Sequence, residues 1–130
     1  MCALWLSSPA QAADTVVDLS GAVPDDGLRH FFIELEVPTG IKEIEIAHDD
    51  LSADNILDWG LLDETGACRG WGGGNSENAV VGEAAAARSY LPGPIGAGKW
   101  KIVVGKAKIK QTPASYSVQV TMRDLATLPP

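Results

Sequence analysis

The densest group of hard ligands in this chain is His48-Asp49-Asp50, with Asp54 and Asp58 close behind. Carboxylates at that density suit calcium, which takes roughly six to eight oxygen ligands. Asp49, Asp50 and Asp54 form the candidate calcium loop. Their spacing departs from an EF-hand loop, which needs a mid-loop glycine and a distal glutamate. Asp and Asn also make turns without any ion, so the preferred reading is a solvated acidic loop with no metal. Zinc is disfavoured further, because the two histidines, His30 and His48, stand in neither an H-x-H nor an HExxH spacing. Gly70-Trp71-Gly72-Gly73-Gly74-Asn75 lacks the Lys-Ser/Thr ending of a phosphate loop and leads into no helix. It reads as tight turning beside a packed tryptophan. There is no Gly-x-Ser-x-Gly elbow, and no base lies near Ser89 in sequence. The expectation is a chain without catalytic residues or cofactor.

The aromatics offer a different chemistry. Flat apolar rings match the faces of sugars, and Trp59, Trp71, Tyr90 and Trp100 are the candidates. Trp100 shares its phase with Ile102 and Val104, and Trp59 lies inside an apolar run, so both belong to the core. Trp71, beside the glycine-rich loop, is the ring expected at the surface. The candidate ligand-binding residues are therefore Trp71, Tyr90 and Arg69. Cys68 reads as a partly buried, small apolar residue. The other cysteine, Cys2, falls in a segment expected to be removed, so no internal disulfide is expected.

The elements that must position these residues are strands. Phe31, Ile33, Leu35 and Val37 alternate with Phe32, Glu34 and Glu36, which is the period of a half-buried strand. Pro38-Thr39-Gly40 turns the chain, and Ile44 and Ile46 continue the alternation, as a hairpin or as an arch between sheets. Residues 56–63 (ILDWGLLD) are nearly all apolar and should be central, closed by a turn at Asp63-Glu64-Thr65-Gly66. Short strands are expected from Cys68 and over 78–82, and longer ones over 99–106 and 116–122. Thr15 to Leu19 should form an edge. Pro92 and Pro94 keep residues 90–95 out of a strand interior. Residues 83–88 have the strongest helix formers, but a single turn of that length is marginal. Seven or eight strands predict an all-β, two-sheet antiparallel β-sandwich of jelly-roll type.

The totals bound the partners. A chain of 130 residues suits one domain. With 17 acidic against 10 basic residues, the net charge is -7, which disfavours nucleic acid and anionic membrane surfaces. Residues 1–13 read as the remnant of a signal peptide, with Ala10-Gln11-Ala12 as the small-x-small cleavage pattern. That predicts a periplasmic or extracellular protein. Residues 14–123 are the sandwich, and 124–130 (DLATLPP) read as an exit linker.

Three blocks carry a family resemblance: Arg69-Gly-Trp-Gly-Gly-Gly74, Tyr90-Leu-Pro-Gly-Pro-Ile95 and Gly98-Lys-Trp-Lys-Ile-Val-Val-Gly105, after Asn55-Ile-Leu-Asp-Trp-Gly-Leu-Leu-Asp63. In this order they resemble the N-terminal β-sandwich of secreted bacterial PHP-type metallohydrolases of the CehA/McbA group. A coarser pattern is similar to pre-peptidase-type sandwich domains. The first resemblance implies a sandwich that precedes a metal-dependent phosphoesterase-like domain. Its His-x-His ligands are absent here, so no catalytic residue carries over. The chain is expected to be a fragment of such a protein or a free-standing cousin. The resemblance suggests structural work for Arg69, with Asp63 as its ionic neighbour. The expected function is a non-catalytic accessory domain that docks on a catalytic domain or partner protein. The alternative is an independent module for carbohydrate or calcium. Phe32, out of phase with Phe31 and Ile33, marks the candidate contact patch, unless the N-terminal strand or a loop covers it.

Overall fold

The computed structural model describes residues 14–74 and 76–130. The signal-peptide reading of residues 1–13 and the candidate turn residue Asn75 lie outside them. Eight strands follow one another: β1 (Asp14–Ala22), β2 (His30–Val37), β3 (Glu43–Asp49), β4 (Ile56–Leu62), β5 (Cys68–Gly73), β6 (Ala79–Gly82), β7 (Gly98–Lys108) and β8 (Ser115–Arg123). One antiparallel sheet has the order β1-β8-β3-β6 and the other β2-β7-β4-β5. The pairs β1·β8, β2·β7, β3·β6 and β4·β5 nest inside one another, as in one long hairpin rolled over on itself. That is the winding of a jelly roll. Only the β4–β5 connection stays within a sheet, so Pro38-Thr39-Gly40 belongs to an arch and not a hairpin.

The alternation read from the sequence sets the two inner faces. Ile33, Leu35 and Val37 of β2 are buried, as are Trp100, Ile102 and Val104 of β7 and Val118, Val120 and Met122 of β8. Leu57, Trp59 and Leu61 of β4, Ile44 and Ile46 of β3 and Ala79 and Val81 of β6 join the same core. β4 runs between β7 and β5, central as its composition requires. The turn after it needs Gly66, whose φ is 86°, and Asp63 caps that turn by accepting from Thr65 N and Ala67 N.

Residues 83–88 form no helix. Their backbone is used to cover a sheet edge instead: Gly82 N donates to Ala85 O at 2.8 Å and Ala87 N to Val80 O at 2.8 Å, along β6. The same connection then runs beside β5, with Trp71 N donating to Ser89 O and Leu91 N to Arg69 O. One side of the sandwich is thereby closed, which blunts two edges that could otherwise pair with another chain.

The segment after β8 is tied down. Glu43, at the start of β3, is completely buried. It accepts from Thr127 N, Thr127 Oγ1, Leu128 N and Arg123 Nη1 at 2.7–3.1 Å. Residues 124–130 therefore lie against the body over at least part of their length.

Candidate functional site

Arg69, Tyr90 and Trp71 do not converge. The register of β4 against β5 passes from Leu62↔Cys68 to Leu61↔Gly70. Arg69 is thus the extra residue of a bulge, and bulges re-aim a side chain. It is 6% exposed, donates through Nη1 to Pro94 O at 2.8 Å and through Nε to Leu91 O at 3.3 Å, and lies 3.5 Å from Asp63. Its guanidinium carbon sits 5.3 Å from the centre of the Trp100 ring. Tyr90 is half-buried against Gly70, where a Cβ would stand 2.3 Å from its ring. Burial is the largest influence on its phenol and raises its pKa. Both side chains close the core. Only Trp71 faces solvent, at 41% exposure. Cys68 is exposed and not partly buried as its type suggested.

Trp71 belongs to the outer face of the β2-β7-β4-β5 sheet. The register places Phe32 opposite Val103, Val103 opposite Gly60 and Gly60 opposite Trp71. These four positions form one row straight across the sheet. Its ends, Phe32 and Trp71, lie three strand spacings apart, about 14 Å. The six-membered ring of the indole rests on two glycines. A Cβ on Gly60 would stand 2.4 Å from Cε3, and one on Gly105 would stand 3.2 Å from Cη2. The ring therefore reaches from β5 across β4 to β7 and lies low on the backbone. His30 flanks it, with ring centroids 6.1 Å apart. Asp58 stands on the other side of Gly105, its Cβ 3.4 Å from the point a Gly105 Cβ would take. Phe32 is 53% exposed. The N-terminal strand lies in the opposite sheet and does not cover it. Lys101 Nζ sits 5.5 Å from the Phe32 ring centre.

His30, Asp58, Gly60 and Gly105 were not singled out for this face by the sequence. A signal for two of them was there: a glycine inside an apolar strand marks a place where another group approaches the backbone. Gly60→Ala should push the indole off the sheet. The expected outcome is a loss of about 1–3 kcal/mol, as for overpacking, with red-shifted tryptophan emission. Urea unfolding and fluorescence spectra check it.

The acidic loop is dispersed. Asp49 accepts from Leu51 N, and Asp54 accepts from Gln111 Nε2. Among the described residues no three His, Cys, Asp or Glu gather so as to hold a metal ion. Beside Asp49 and Asp50 opens a cleft of about 260 Å³ bounded by His48, Trp59 and Ser76. His48 stacks on Trp59 at 4.7 Å between centroids. Desolvation is the largest influence on His48 and outweighs Asp50 and Asp49, so its pKa lies below the ordinary 6.5. A depressed histidine favours folding above the unfolded-state pKa and loses that contribution as pH falls through the folded value. The melting temperature should therefore decline between about pH 7 and 5, and His48→Phe, which keeps a ring on Trp59, should flatten the decline. A pH series of thermal melts of both proteins measures this.

A wider cleft, about 500 Å³, opens between residues 23–29 and 109–114, walled by Val23, Leu28, Ile109 and Ala114. Its Lys106 is already committed to the Pro24 carbonyl and to Asp26. No protein-family model matches this chain, and no curated protein is similar to it.

Proposed function

We propose that this chain is a non-catalytic accessory domain of a secreted, PHP-type metal-dependent hydrolase, and that it works by contact through the outer face of the β2-β7-β4-β5 sheet. The observation that carries the reading is the row Phe32–Val103–Gly60–Trp71, which leaves two large apolar rings exposed on a sheet face that no other strand covers among the described residues. Exposed rings aligned on one face mark contact sites more often than isolated ones do. The pinned segment after β8 supports the accessory role. A catalytic domain joined there would be held at a fixed angle, because Thr127 and Leu128 are anchored on Glu43.

Two measurements test this. The genomic sequence around the coding region is expected to contain a His-x-His-bearing hydrolase domain. The isolated chain is expected to leave bis(p-nitrophenyl) phosphate intact with added Mn²⁺ or Zn²⁺. Turnover that tracks the purified chain would overturn the proposal.

A further inference from the structure

Resting on that reading of the face as a contact surface, the geometry points to a neutral, pyranose-based oligosaccharide as its ligand, with Trp71 as the stacking platform. The indole packs down on Gly60 and Gly105 through Cε3, Cζ3 and Cη2, and Trp71 remains 41% exposed. A ring pressed down in this way is pre-oriented, and binding to it immobilises little that was free. The axial C–H groups of a pyranose form an apolar surface that complements such a ring. Stacking alone does not orient a sugar; hydroxyls need donors and acceptors at the platform's rim. His30 and Asp58 supply both, on either side of Gly105 where the indole ends. Among the described residues Asp58 has neither a hydrogen bond nor an ion pair, so its carboxylate is available to accept from a hydroxyl.

The row to Phe32 sets the length. It crosses the sheet from Trp71 over Gly60 and Val103 without a charged side chain in it. That gives room for a short chain of sugars with a second ring at its far end. Charge selects against acidic glycans. The chain carries -7 overall, and Asp58 stands beside the platform, so uronate or sulfate groups would be repelled.

The test is calorimetric and fluorimetric titration of the protein with cellohexaose and N,N′-diacetylchitobiose-based hexaose, with hexagalacturonate as the anionic arm. Saturable binding of one neutral hexaose at millimolar or lower concentration is expected, with little or none of hexagalacturonate. Trp71→Ala should weaken it about tenfold, the size of one aromatic contact, and Trp71→Phe should restore part of the loss. Both variants keep Trp59 and Trp100 in the core and should remain folded at the titration temperature, which thermal melts check. No binding of either neutral hexaose, or binding that Trp71→Ala leaves unchanged, would overturn the inference. Protection of Trp71 from oxidation by a hydrolase domain, with no protection by sugar, would also overturn it in favour of a protein-docking face. The absence of such a hydrolase with sugar binding retained would instead count against the accessory role alone.

Discussion

Glu43→Ala is expected to destabilise the domain by about 3–5 kcal/mol, the range for breaking a buried ion pair by removing one partner. The carboxylate is completely buried. One oxygen accepts from Thr127 N and Leu128 N, and the other from Arg123 Nη1 and Thr127 Oγ1. Alanine would leave two backbone donors without an acceptor and a mostly covered guanidinium with fewer partners, although Glu45 would still hold Arg123. Glu43→Gln distinguishes charge from shape. Its single oxygen can serve one pair of donors, and its amide then faces the other pair, so most of the loss should persist. Burial is the largest influence on the Glu43 pKa and pushes it up, but the hydrogen bonds from Thr127, Leu128 and Arg123 outweigh it and leave the value below 4.5. The sign follows: this contribution is present above the unfolded carboxylate pKa and is lost as pH falls through the folded one. Chemical unfolding at neutral pH measures the loss. Limited proteolysis should also cut earlier within residues 124–130 in the alanine variant. An unchanged unfolding midpoint would show that the exit segment is not anchored in this way.

The two inner faces were legible because a strand's period of two reports which side is dry. Ile33, Leu35 and Val37, or Trp100, Ile102 and Val104, need no tertiary information to be assigned to a core. The period does not report neighbours. Whether Pro38-Thr39-Gly40 closes a hairpin or crosses between sheets depends on which strand β3 meets, and it meets β8 and β6, far along the chain. Glu43 was legible only as the wet phase of its strand. Its burial depends on residues 84 and 85 positions away. The site shows the same division. The exposure of Trp71 followed from the glycines around it, but His30 and Asp58 reach its rim only through the registers of β2 and β4 on β7. The burial of Arg69 was not legible from the strand period, because a one-residue bulge reverses the side a residue faces.

That bulge gives the second large effect. Arg69→Ala should cost about 3–4 kcal/mol, since two hydrogen bonds from a charged group are lost at roughly 1.5–3 kcal/mol each before partial relaxation. The Leu91 and Pro94 carbonyls lose their donor, and the face of Trp100 loses the guanidinium that covers it. Asp63 should tolerate the change better, because Thr65 and Ala67 continue to donate to it. Arg69→Met separates packing from polarity. Its stem can still cover Trp100, and it removes Nη2, a buried nitrogen with no partner among the described residues. The methionine variant should therefore lose less than the alanine variant. Nη2 points at Gly93, where a Cβ would stand 3.2 Å away at a φ of 155°, so the two residues are fitted to each other. If Arg69 only holds the 89–95 segment against β5, both variants will bind a neutral hexaose as the parent does under conditions where they are folded. Loss of sugar binding at an unchanged unfolding midpoint would instead place Arg69 in the ligand site, and would mean that the bulge opens toward the outer face in solution.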